Sequence, residues 1–321
     1  MNALPQIARA RRTVLAVPGC SQRMLEKSKL LNSDQVFFDL EDAVAPLAKE
    51  DARQYVVSAL NGDGHGSRIR SVRINGIGTQ WIDADIETIL AGAGHKIDSI
   101  ILPKVQTIDD VFWLEHRLAQ WEISQGLELG RIGIEVQIED ALGLINVEAI
   151  AASSNRIQTL IFGPADFMAS LNMRTLNVGA QPIGYTEGDA YHYALMKLLV
   201  AGRAFGKQVI DGPYLEIKDL VGLALSSNRS AALGFDGKWV LHPDQIDTVN
   251  EIFSPTQAEF EQAELVLQAY EYHTSELGGQ LGAVMLGAQM IDEASRKMAL
   301  VISAKGRAAG LVSSQHFEAG K

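Results

Sequence analysis

Residues 132–152 read IGIEVQIEDALGLINVEAIAA, and this stretch decides the fold. Its first part, Ile132–Ile138, is a short run rich in β-branched residues, the pattern of a strand buried on both faces. Its second part, Ala141–Ala152, carries apolar residues at helical spacing. The same unit recurs in both directions along the chain. Toward the N-terminus the strand candidates are Thr13–Val17, Gln35–Asp39, Ser71–Ile74 and Ser99–Leu102. Toward the C-terminus they are Thr159–Phe162, Gln208–Ile210 and Lys238–Leu241. Helical patterns lie between them, among them Arg23–Leu31, Lys49–Leu60, Ile108–Trp121 and Ala190–Phe205. The result is about eight β–α units over about 250 residues, the size and rhythm of a (β/α)8 TIM barrel. A doubly wound open sheet would call for a G-x-G-x-x-G loop after an early strand, and Val17–Pro18–Gly19–Cys20–Ser21 has no such spacing.

The pattern changes after Pro255, so residues 1–255 are read as the barrel and 256–321 as a C-terminal extension. The extension reads as a helix over Gln257–Tyr272, a weakly structured glycine-rich stretch over Leu277–Gly287 and a helix over Asp292–Gly306. It is too short to be expected to build its own core, and is expected to pack on the barrel or on a neighbouring subunit.

Composition narrows the partners. The chain of 321 residues is 47% hydrophobic, enough for a large core. Lys and Arg number 28 and Asp and Glu 39, a formal charge of −11 that disfavours nucleic acid and anionic membranes. No apolar run is long enough to span a bilayer. Met1–Arg12 has basic residues but no apolar segment of the signal-peptide kind, and Cys20 is the only cysteine, so the expected setting is the cytoplasm. Cys20 is expected to pack as a small buried residue.

In a barrel of this kind, function collects where strands end. Asp39–Leu40–Glu41–Asp42 follows the second strand, Arg73–Ile74–Asn75 the third and Pro103–Lys104 the fourth. Glu139 closes the fifth, Gly163–Pro164–Ala165–Asp166 the sixth and His242–Pro243–Asp244 the eighth. Carboxylates crowded at one rim repel unless a cation shares the site, and oxygen ligands without a Cys/His cluster suit a hard cation such as Mg²⁺ or Mn²⁺. Glu139 and Asp166 are the best ligand pair, with Asp39, Glu41 and Asp42 holding metal-bound waters or orienting neighbours. The alternative is that these acids cap the following helices. Arg73, a charge in an apolar strand, suits bidentate binding of a substrate carboxylate; the alternative is an ion pair with one of the acids. Ser21–Gln22–Arg23 with Lys27 and Lys29, joined by Arg11 and Arg12, forms a basic patch suited to phosphate, or else a solvated basic face. His242 is read as orienting its loop.

These segments resemble the citrate lyase β-subunit-like enzymes of the HpcH/HpaI aldolase/citrate lyase superfamily, and within them the malyl-CoA and β-methylmalyl-CoA lyases. The matching stretches are Val17–Pro18–Gly19 with Arg23 and Lys27, FDLEDAVAP at 38–46, VRING at 72–76 and LPKV at 102–105. Further on come IEVQIEDALGL at 134–144, IFGPADF at 161–167, GKWVLHPDQI at 237–246 and MIDEA at 290–294. The resemblance implies Mg²⁺ on Glu139 and Asp166, a CoA thioester and a 2-oxo acid as the small-molecule partners, and Arg73 on the oxo-acid end. It implies Asp292 as the catalytic acid/base, supplied across an interface of a homotrimer or homohexamer, and Arg23 and Lys27 toward CoA. Glu41, Asp42, Gly163 and Pro164 are expected to face the substrate. Glu293, an acid beside Asp292, is expected to raise its pKa. Aldolases of a sister branch carry a histidine where this chain has Asp42, which favours the CoA-lyase branch. The competing readings are an aldolase acting on a free 2-oxo acid, a citramalyl-CoA lyase, a malate-synthase-like thioesterase activity, and a carrier-protein-dependent citrate lyase β-subunit or other non-catalytic partner.

Overall fold

A computed structural model describes residues 9–318. Eight parallel strands close into a barrel in chain order. They are β1 (Thr13–Pro18), β2 (Gln35–Asp39), β3 (Ile69–Arg73), β4 (Ser99–Leu102), β5 (Gly133–Ile138), β6 (Ile157–Phe162), β7 (Gln208–Asp211) and β8 (Gly237–Val240). Closure is made by β1 against β8, with Thr13 opposite Lys238 and Leu15 opposite Val240.

Side chains alternate in and out along each strand, and this parity builds the barrel interior in layers. The middle layer is apolar: Val14, Phe37, Ile101, Ile161, Ile210 and Trp239 form one buried cluster. Two residues nearer the strand N-termini, the same parity gives a polar layer. There the buried Glu135 carboxylate accepts from Gln35, Ser71, Ser99 and Thr159. Toward the strand C-termini it brings Asp39, Arg73, Gln137 and Glu139 to the mouth, where all four line one cavity. Arg73 thus lies inside the barrel because it shares parity with Ser71.

The strands match the sequence reading to within two residues. Helices at Ile82–Ala93, Pro164–Ser170, Leu220–Leu233 and Ile246–Ile252 complete the outer ring, and were not among the helices named from the sequence. Leu220–Leu233 is interrupted by Ser226, Ser227, Ser230 and Asn228, which blurs its apolar period.

The chain divides into two compact units, one of them Arg11–Asn250 and the other containing Glu251 onward. The division falls a few residues before Pro255, within the helix Ile246–Ile252. The C-terminal unit corrects two expectations. It has its own small core, in which Ala263, Val266, Ala269, Ile291 and Ala299 pack together. Small residues let the helices Gln257–Thr274 and Glu293–Ala308 approach closely, and Glu264 accepts from Ser303 and Arg307 across that contact. The glycine-rich stretch also runs into an antiparallel hairpin of β9 (Val284–Leu286) and β10 (Gln289–Ile291). Among the described residues no helix is long and apolar enough to cross a membrane.

Candidate active site

Asp39 and Arg73 end neighbouring strands and lie opposite each other in register. The guanidinium donates from Nε to Asp39 Oδ1 at 2.8 Å and from Nη2 to Asp39 Oδ2 at 2.6 Å. Its Nη1 lies 2.8 Å from Glu41 Oε2, and its plane sits over the rings of Trp239 and Phe37. Burial alone would lower the Arg73 pKa, but Asp39, Glu41 and Asp42 outweigh it and raise the value. The structural ion pair considered for Arg73 therefore exists. Asp39 is held in turn by the N–H groups of Glu41 and Ala43. The arrangement fixes the guanidinium, with its charge met by Asp39 and Glu41, on the wall of a cavity of about 390 Å³.

Glu139 follows β5 directly and is 2% exposed. Oε1 accepts from the Lys104 backbone N–H at 2.7 Å, and Oε2 accepts from Gln137 Nε2. Burial first, and the charge of Glu41 second, push its carboxyl up to about 8, against the opposing pull of Lys104 and Arg73. Gly163 is required beside it: a Cβ there would lie 2.4 Å from Glu139 Cβ and 2.6 Å from Oε2. Pro164 then starts the helix Pro164–Ser170, and Asp166 sits in its first turn rather than at the strand end, half-exposed and lining the same cavity. Glu41 is buried and its carboxyl is raised, chiefly by burial, while Asp42 is exposed.

The donor set at this mouth is all oxygen, and two features suit a hard cation. The Glu139 carboxyl is held up by burial and like charge, which a cation would relieve. Gln137 Oε1 is buried without a protein partner and belongs to a residue lining the cavity. No three His, Cys, Asp or Glu side chains among the described residues converge as a complete cage. Glu139 and Asp166 line the same cavity, where substrate or water oxygens could complete a shell of the kind Mg²⁺ prefers.

A second cavity of about 450 Å³ is lined by Ser21, Arg23, Lys27 and His242, and shares Ala16, Pro18 and Leu241 with the first. Arg23 and Lys27 thus border a recess beside the acidic one, while Lys29 pairs with Glu26. Arg11 and Arg12 do not join them. Both precede β1 and so lie at the opposite end of the barrel, Arg11 on Gln35, Gln158 and Gln208 and Arg12 on Asp34. Cys20 is exposed rather than buried, because it stands in the turn before the helix cap Ser21. His242 caps the turn Pro243–Gln245 by accepting from the Asp244 N–H.

Asp292 belongs to the C-terminal unit. It is the N-cap of Glu293–Ala308 and accepts from the Ser295 N–H at 2.9 Å and from Ser295 Oγ at 3.1 Å. These bonds pull its pKa down, contrary to the rise expected from Glu293. Glu293 is instead neutralised by Arg296 and Lys297.

The family model described as HpcH/HpaI aldolase/citrate lyase matches residues 12–243 of this chain, from the start of β1 to the loop after β8. The chain belongs to that family. Among its relatives is the L-malyl-CoA/β-methylmalyl-CoA lyase of Cereibacter sphaeroides, 35% identical over 92% of this chain and 94% of that one. A (3S)-malyl-CoA thioesterase of the same species is 36% identical over 86% of this chain and 88% of that one. In the same family's structural neighbourhood is the CitE protein of Mycobacterium tuberculosis in complex with magnesium, acetoacetate and coenzyme A. It superposes with a TM-score of 0.73 at 26% identity, over 94% of this chain and 99% of that one. Sequence reasoning listed Lys104 only as a strand-end residue. Its place in the LPKV segment, two residues past β4, was the available signal.

Proposed function

We propose that this protein is a Mg²⁺-dependent carbon–carbon lyase of small acyl-CoA esters. It would cleave malyl-CoA or β-methylmalyl-CoA reversibly to glyoxylate plus acetyl-CoA or propionyl-CoA, in the cytoplasm. The observation that carries the reading is the Glu139 carboxylate, buried and gripped at both oxygens, lining one cavity with Asp166 and Arg73. The identity of 35% with a malyl-CoA/β-methylmalyl-CoA lyase over nearly the whole chain supports the choice of substrate.

Glu139 and Asp166 would hold the ion, which supplies a Lewis acid for the oxygen of the 2-oxo acid. Arg73, held in place by Asp39 and Glu41, presents a preorganised guanidinium to the oxo-acid end, and such fixed groups need no reorganisation during the reaction. Gly163, with no side chain to collide with Glu139, and Pro164 line the cavity that the substrate would enter. Arg23 and Lys27 face the anionic CoA portion in the adjoining recess. In condensation, Asp292 removes a proton from the thioester α-carbon. In cleavage, the β-hydroxyl gives up its proton to solvent, the bond between the α and β carbons breaks to leave the oxo acid and a thioester enolate, and Asp292 in its protonated form returns a proton to the α-carbon. The bonds from Ser295 hold its carboxyl below the usual carboxylate range and orient it.

Asp292 would be supplied by a neighbouring subunit of a homotrimer or homohexamer.

The test is to incubate the protein with malyl-CoA and Mg²⁺ and trap the released oxo acid. Glyoxylate should appear with acetyl-CoA, and EDTA should stop it. Malate with free CoA instead would replace the lyase with a thioesterase.

A further inference from the structure

The acidic mouth contains a cation of its own. Lys104 follows β4 with φ 54°, in the left-handed region that residues with a side chain rarely adopt. That turn lets one residue touch both carboxylates assigned to the metal. The backbone N–H donates to Glu139 Oε1 at 2.7 Å. The ammonium turns the other way, 3.5 Å from Asp166 Oδ2, 3.8 Å from Asp42 Oδ1 and in close contact with Glu41 Oε1.

We propose that Lys104 is a positioning residue that serves as a built-in counter-ion, its ammonium competing with the divalent cation for the Asp166 side of the site. The inference rests on the metal-site reading given above. Two positive charges on one carboxylate repel, so a divalent ion on Asp166 drives the ammonium away. The Lys104 side chain is 41% exposed and has a path to solvent. Lys238, fully buried on Asp211, has none. The backbone N–H stays on Glu139 throughout, so the second ligand remains in place while the side chain moves. Cation binding then has two consequences. Its affinity is set below what the bare carboxylates would give, and a positive charge is released toward the rim, where an anionic substrate arrives.

A plain structural salt bridge predicts the opposite effect on affinity, which makes the idea testable. EDTA-treated protein is titrated with MgCl₂ by calorimetry, using wild type, Lys104→Met, Lys104→Arg and Glu139→Gln. Lys104→Met should bind Mg²⁺ about tenfold tighter or more, because a competing charge is gone. Lys104→Arg should stay near wild type, and Glu139→Gln should lose binding. In parallel, wild type is labelled with an amine-reactive reagent with and without Mg²⁺, and Lys104 is quantified by peptide mass spectrometry. Its labelling should rise severalfold when Mg²⁺ is added. Unchanged or weaker binding by Lys104→Met, or labelling that does not rise, overturns the counter-ion role while leaving the metal site standing. A wild type that binds no Mg²⁺ overturns the metal reading and the counter-ion with it.

Discussion

Arg73 illustrates how one residue sets the character of the site. A guanidinium inside a barrel is costly unless paired, and Asp39 supplies both carboxylate oxygens to it. The pair is therefore a fixed dipole on the cavity wall rather than a mobile charge. Glu139 is the counterpart, an acid kept in place by Lys104 and Gln137 donors and crowded from behind by Gly163. Gly163→Ala tests that crowding. The added methyl has no room, and overpacking of this kind costs about 1–3 kcal/mol. The variant should fold, with a lowered melting temperature, while Mg²⁺ affinity measured by calorimetry falls at least about tenfold through the displaced Glu139. Wild-type Mg²⁺ affinity in this variant would remove Glu139 from the metal site.

At the scale of elements, the strand ends carry the chemistry and the helix starts tune it. Asp292 caps Glu293–Ala308, so a change there risks confusing stability with catalysis. Asn caps a helix about as well as Asp, so Asp292→Asn should cost less than about 1 kcal/mol of stability in a thermal melt. Turnover should nonetheless fall about a hundredfold or more, since general base catalysis is worth that much. Near-normal turnover would take Asp292 out of the mechanism. The barrel was legible because most strands are short runs of apolar or β-branched residues, and because Glu139 and Asp166 follow two of them. What was not legible has physical causes. Lys104 owes its role to a left-handed backbone turn that a lysine codon does not announce. Asp292 sits next to an acid in sequence, yet Ser295 and not Glu293 sets its charge state, because helix capping turns its carboxylate toward backbone donors. Arg11 and Arg12 are close in sequence to the basic patch and a full strand length away in the barrel. The β9–β10 hairpin was hidden by glycines, which match a turn and a loop equally well.

For the whole molecule, the problem is to bring an anionic substrate to an acidic protein. The formal charge is −11, so bulk electrostatics oppose approach. The molecule meets this locally. Arg23 and Lys27 border one recess, Arg73 stands on the wall of the next, and the two share Ala16, Pro18 and Leu241. On our reading a CoA ester reaches across that shared wall, its phosphates on the basic side and its reacting carbon on the acidic side. The most direct test is to mix the protein with glyoxylate and acetyl-CoA or propionyl-CoA, with Mg²⁺ or with EDTA, and follow the products by mass spectrometry. The account predicts malyl-CoA or methylmalyl-CoA with Mg²⁺ and none with EDTA. Condensation that continues undiminished in EDTA, or no condensation of either thioester with Mg²⁺ present, would contradict it.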